Sequence, residues 1–403
     1  NMIELVALSG AANPAPIVAG AGGRDPFSKG NVSVAGGLNT GLNYTLDGAS
    51  HNNPYDNGYM SLPFPDALQE FKVETGATGI QTGVKSSGSV SLVTKSGTND
   101  IHGDLFEFVR NRSFNARNAF AAQRDTIKRN QFGGTVGGPI VKNKIFFFSG
   151  YQGTTLRQAP TETLAIVPTP AMLAGDFSVF ASAACNGGRQ ITLRAPFINN
   201  RIDPALMSKA AVKLASKIPS TPDPCGRLNY GAPNRENDHT AIGRIDYQRS
   251  SNHSIFGRYL IDSIVSPPSF DIDGNVLNAL DTGTTGLAQA FTLGDTYLFG
   301  ANTVNAFRLT ANRIAAAKSA ADYDSAGLGP GDIGVKSFLY WPHRPIGTVS
   351  GGLNTTTNSW ATSGSNAVGP TRAAIFGAND DVSMLRGKGA RQICENPMAT
   401  GRQ

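Results

Sequence analysis

The sequence is short of charge, short of long apolar runs and short of clustered chemistry. Only 16% of its 403 residues are charged, against roughly 25% in ordinary globular domains. The longest apolar runs, such as Ile145–Phe148, fall far below the ~20 residues of a membrane-crossing helix. The net charge of +6 is small for this length and excludes a nucleic-acid footprint. The basic cluster Arg110, Arg112, Arg117, Arg124, Lys128 and Arg129 reads as the flank of a solvated loop. There are three cysteines and five histidines, and none has metal-ligand spacing. No catalytic triad or dyad signature is present, so no catalytic residue and no metal or other cofactor is expected.

Glycine is abundant, with 47 residues, and 21 Phe and 10 Tyr are spread along the chain. Glycine without a strict three-residue period excludes collagen, and a 40% hydrophobic share argues against full disorder. This profile points to a β-rich protein, with a membrane β-barrel among the candidates. The chain does not begin with Met and has no signal peptide at Asn1, so it reads as a fragment or a processed product.

Seven segments have strand character: Gly103–Arg110, Asn130–Gly138, Lys144–Tyr151, Thr240–Arg249, His253–Ile261, Phe291–Gly300 and Thr303–Arg313. Several alternate with period two. Ala241, Gly243, Ile245 and Tyr247 share one face, while Ile242, Arg244, Asp246 and Gln248 share the other. The connections alternate short and long, with 152–239 the longest loop. Up-and-down strands then gather all short turns at one end, as in outer-membrane barrels. Within the longest loop, Asp203 starts an expected helix through Lys217. Cys185 and Cys225 share this stretch, and a disulfide between them fits an oxidising space, with two free thiols as the alternative. Cys394 has no evident partner.

The first hundred residues differ. Tyr44-Thr45-Leu46 runs into the turn Asp47-Gly48. A Pro/Asn-rich loop follows, and Asp66 is expected to cap a short helix carrying Ala67, Leu68 and Phe71. His51 near Asp47 and Asp56 invites a metal reading, but the loop reads better as a polar apex. Gly133–Gly138 lacks the Lys-Ser/Thr of a phosphate loop. Asp271–Asn275 lacks the Glu of a Ca²⁺ loop, since residue 282 is Thr.

Several ordered motifs resemble those of TonB-dependent outer-membrane receptors, and more narrowly the Oar-like group with a carboxypeptidase regulatory-like domain. They are Tyr44–Gly48, Pro65–Val73, Val93–Asn99, Arg129–Gly134, Gly137–Ile140, Gly150-Tyr151, Arg244–Tyr247 and Phe256–Tyr259. The resemblance covers roughly residues 31–315. Residues 316–380 fit a generic loop and strand, and 381–403 match nothing.

The resemblance implies a mainly β fold: an α+β plug over 1–98, then the first strands of a large antiparallel transmembrane barrel over 99–380. The tail 381–403 stays unassigned. It implies a bacterial outer-membrane location and energy-coupled uptake of an oligosaccharide, peptide or metal chelate. Its partners would be a TonB energy-transducing complex, the extracellular solute and outer-membrane lipid. The alternative is a surface adhesin or a secretion-linked barrel. Ligand contacts are expected at the plug apex, on Asn52, Asn53, Tyr55, Asp56, Asn57 and Tyr59. Too few strands are present to close so large a barrel, so the chain alone is not expected to transport.

Overall fold

The computed structural model describes residues 2–8, 12–15, 27, 31–55, 57–75, 87–117, 124, 126–159, 163–279, 282–319, 321, 326–336, 369–386, 389–395 and 401–402. The N-terminal elements are α1 (Met2–Ala7) and the paired strands β1 (Ala12–Ala15) and β2 (Asn31–Val34). Then come β3 (Leu42–Leu46), β4 (Ala49–Ser50), β5 (Leu68–Thr75) and β6 (Gly88–Thr94), which form a four-stranded sheet in the order β4-β3-β6-β5. β3 and β4 are joined by the two-residue turn Asp47-Gly48, with φ of 55° and 78°. Positive φ at both central positions is the hairpin geometry that Asp-Gly adopts most readily. The helix expected after Asp66 is only a 3-10 turn over Pro65–Ala67, and Leu68 already belongs to β5. Pairing of β5 with β6 outweighs the local helical spacing.

The remaining strands build the wall. β7 (His102–Asn111), β8 (Lys128–Val141) and β9 (Ile145–Gln158) run up and down. A small hairpin of β10 (Thr163–Ile166) and β11 (Arg227–Tyr230) lies in the longest loop. Then follow β12 (Asn234–Ser250), β13 (His253–Ser266), β14 (Gly283–Phe299), β15 (Thr303–Ser319), β16 (Gly369–Arg386), β17 (Gly389–Glu395) and β18 (Gly401–Arg402). All except β10 and β11 join one ten-stranded antiparallel sheet, and β7 and β17 close the two ends of its strand order. The sheet is open. The seven strand segments expected from sequence fall in its strands, except that Lys144 and Gly300 lie just outside β9 and β14, and the strands run on to 14–18 residues in β8, β9 and β12–β16.

Alternation sorts the two faces. On one, Phe132, Tyr151, Ile245, Tyr259, Phe291, Leu309 and Phe376 are each 39–64% exposed. Tyr259, Phe291, Ala311 and Phe376 line up across four neighbouring strands. Large apolar side chains stacked in a row and open to the surroundings suit lipid, not water. On the other face Phe148, Ile242, Leu260, Ile264, Ala290 and Ile314 are buried, in one cluster with Leu42, Tyr44, Leu46, Val90 and Leu92 of the small sheet and Met60 and Phe64 of the segment between β4 and β5. The wall therefore wraps the small domain and presents its second face outward.

The longest loop is ordered around a disulfide between Cys185 and Cys225, whose Cα atoms are 5.3 Å apart. Its expected helix is a 3-10 turn at Pro204–Leu206 followed by α2 (Lys209–Ala215), capped by Ser208. Asp271 and Asp273 lie in α3 (Ser269–Asp273), which ends on left-handed Gly274. That stretch is a helix end and not a cation loop.

Candidate functional site

The tip of the β3–β4 hairpin is pressed against the inner face of the wall. Asp47, its side chain only 2% exposed, receives 2.8 and 3.0 Å hydrogen bonds from the amide and hydroxyl of Thr94 in β6. Arg244 of β12 donates to the same carboxylate at 2.9 Å. Arg258 of β13, itself 1% exposed, lies 3.2 Å from its other oxygen. Arg308 of β15 donates to the Asp47 carbonyl at 3.2 Å. Asn312 donates to the Ser50 carbonyl at 2.9 Å, and Asn379 to that of Gly48 at 3.4 Å. Five side chains from four wall strands thus hold three hairpin residues, Asp47, Gly48 and Ser50, through polar contacts.

These contacts follow from the fold. Arg244, Arg258, Arg308 and Asn312 occupy inward positions of the alternation, so the strand period itself aims them at the plug. Arg244 and Arg308 both lie over the Phe256 ring, 4.3 and 5.1 Å from its centre. Such cation–π contacts orient long, mobile side chains. Gly294 on β14 makes room for that ring, because a Cβ there would collide with Phe256.

Beside the hairpin tip sits His51, fully buried. Its Nε2 lies 2.8 Å from the Ser61 carbonyl and so carries the hydrogen. Burial, reinforced by the Arg258 charge, pushes its pKa down to about 3. The imidazole is therefore neutral, and Nδ1 has no hydrogen-bond partner among the described residues. Burial pushes the pKa of Tyr44 up. The Ser61 hydroxyl bonds to the Asp262 carboxylate of β13.

Toward the long-loop end lies a cavity of about 400 Å³, between segment 59–65 of the plug and the inner faces of β8, β9, β12 and β13. Its floor is apolar, with Tyr59, Leu62, Pro63 and Phe64. Its walls carry Arg129, Gln131, Gln152, Thr154, Glu236 and Asp238. Arg129 donates to Gln131 at 3.3 Å, and Gln131 to Gln152 at 2.7 Å. Amides and charges above an apolar floor are the usual makings of a solute site.

Of the six apex residues expected to meet a ligand, Tyr59 is at the cavity. Asn52 instead clamps the loop: its side-chain oxygen accepts from the Tyr44 amide, and its NH2 donates to Leu42, Asn57 and Gly58 carbonyls. Asn53 is buried and accepts from the Tyr55 amide at 2.9 Å. Tyr55 is partly buried against the core. Asn57 is exposed, has φ of 61° and donates to Thr40. Asp56 lies outside the described residues. The arginine cluster and the wall amides were not singled out from sequence. Their inward register, together with Arg129-Asn130-Gln131 and Arg244-Ile245-Asp246, was the signal available.

A family model described as an outer membrane beta barrel domain matches residues 93–391. Over 141 residues the chain is 30% identical to the TonB-dependent transporter Oar of Myxococcus xanthus; the match covers 33% of this chain and 13% of that protein. The siderophore receptor PirA of Acinetobacter baumannii aligns over 95% of this chain and 43% of its own, with 10% identity and a TM-score of 0.49. The outer membrane transporter YddB of Escherichia coli aligns over 90% and 40%, with 10% identity and a TM-score of 0.49. The chain thus spans about an eighth of the curated relative and less than half of each of these solved structures.

Proposed function

The chain belongs to the outer membrane β-barrel domain family, and from that premise we propose that it forms the plug and first wall strands of a TonB-dependent transporter that takes up a large solute. Its place is the bacterial outer membrane. The observation that carries the reading is the polar latch. A permanent structural core would be sealed by apolar packing, whereas a plug that must move is better held by groups water can satisfy as it leaves. Asp47, Arg244, Arg258, Arg308 and Asn312 are such groups.

In this reading a solute enters from the long-loop side and settles in the cavity over Tyr59, Pro63 and Phe64. There Arg129, Gln131, Gln152 and Glu236 meet its polar groups. The cavity chemistry suits an oligosaccharide or a peptide, which present hydroxyls or amides, and a metal chelate with such groups fits the same description. Tyr59 is the apex residue placed to touch it, while Asn52 and Asn53 hold the loop's shape. Force from an energy-transducing TonB complex at the short-turn side then draws the hairpin off the wall and opens a path.

The test is uptake of labelled oligosaccharides and peptides by cells carrying the intact receptor. Uptake that stops when the proton-motive force is collapsed, and that falls with Gln131→Ala or Gln152→Ala, supports the reading. Surface binding with no energy-dependent uptake of any of them overturns it in favour of adhesion.

A further inference from the structure

Latch formation does not call for a histidine at position 51. Holding the Ser61 carbonyl needs a single donor, which Gln or Asn would supply. The hairpin instead carries a titratable ring, sealed at 0% exposure between plug and wall. Its Nδ1 lone pair has no partner among the described residues.

Among the described residues, the charged and titratable groups around the ring are few. Its own hairpin contributes Asp47, already engaged by Thr94 and Arg244, and its own sheet contributes Tyr44. The wall contributes Arg258, whose charge opposes a second cation there, Arg244 behind it, and Asp262, which accepts from the Ser61 hydroxyl. Asn312 and Thr292 from the neighbouring strands are neutral. A proton on Nδ1 would create a buried imidazolium beside a buried guanidinium, with no acceptor within hydrogen-bond reach of Nδ1 among the described residues.

We propose that His51 makes seating of the plug hairpin pH-dependent, because uptake of a proton at Nδ1 is incompatible with the seated state and favours release in acidic surroundings. The sign follows from linkage. Seated, the ring has a pKa of about 3; released into water it returns to about 6.5. The seated state binds fewer protons, so seating is fully favoured above pH ~6.5. It weakens about tenfold per pH unit as pH falls below that value, down to about 3. This inference rests on the latch reading of the hairpin, and goes beyond it by assigning a control.

Ala49, buried at 1% in β4, reports release when replaced by cysteine. In outer-membrane vesicles holding the full chain, with Cys394→Ser as background, the rate at which Ala49→Cys reacts with a soluble maleimide is measured at pH 7.5 and 5.5. The same is done with His51→Gln, and the ratio of the two rates cancels the ionisation of the thiol itself. The expected ratio rises about tenfold from pH 7.5 to 5.5. A flat ratio, or no reaction at pH 5.5 with His51 present, overturns the proposal. Asp47→Asn separates the two levels. If it exposes Ala49→Cys while the ratio stays flat, the latch stands and only the role of His51 fails.

Discussion

The plug touches the wall in two chemically different ways. Around Phe64 the contact is apolar: its ring centre lies 6.0 Å from that of Phe106, and Phe148 and Ile242 are each 2% exposed. At the hairpin tip the contact is ionic and hydrogen-bonded, with Asp47 between Arg244 and Arg258. Apolar burial scales with area and is lost gradually as surfaces slide apart. A buried ion pair depends on geometry, since each ion left alone is strongly penalised, while full release into water restores its solvation. The first contact suits holding a position; the second suits a choice between two positions.

Three substitutions test that contrast. The largest effect is expected from Asp47→Asn. It leaves Arg258 buried without its counter-charge, a loss of about 3–5 kcal/mol when one partner of a buried pair is removed. Hydrogen exchange of the hairpin amides should rise sharply while the wall strands keep their protection; unchanged exchange would mean that the ionic contact holds nothing. Phe64→Ala should cost about 3 kcal/mol, the low end for burying and then deleting a phenyl ring, because neighbours can relax into the adjoining cavity. Its signature in a denaturant melt is loss of overall plug stability, with no selective opening of the hairpin. Gly294→Ala should cost about 1–3 kcal/mol by overpacking. The added methyl displaces the Phe256 ring and with it the rest for Arg244 and Arg308. The expected readout is weaker hairpin protection with the Phe64 contact unchanged, and equal weakening of both would erase the distinction.

Much of the wall was legible in the sequence. Seven strands were located, and period-two alternation in several of them, such as Ala241–Gln248, gave their two faces, because a strand with lipid on one side and protein on the other has to alternate. The sorting of short and long connections gave the up-and-down order. β16 was harder, since Asn379, Asp380 and Asp381 blur its pattern; pairing along β15 fixes it. The helix expected after Asp66 failed for the opposite reason, as a locally plausible helical spacing was overruled by the β5–β6 ladder.

The site was less legible. Asn52, Asn53, Tyr55 and Asn57 look like ligand groups in a polar loop, yet their contacts in the fold go to that loop and its surroundings. Whether an amide faces a solute or a backbone carbonyl depends on what lies within 3 Å of it, and that is not a property of composition. Asp47 showed itself in sequence as half of a turn. Its three arginines lie 197, 211 and 261 positions later, and no local pattern joins them.

The sequence by itself determined the alternation, the turn at Asp47-Gly48 and the membership of one large antiparallel wall, since each is written in neighbouring residues. Only the tertiary structure decided which inward side chains meet the plug, that Asp47 lies between two guanidiniums, and that His51 is sealed beside them as a neutral ring. Those outcomes depend on burial and on charges brought together across hundreds of residues, and burial sets the energy of an ionic group far more than its identity does.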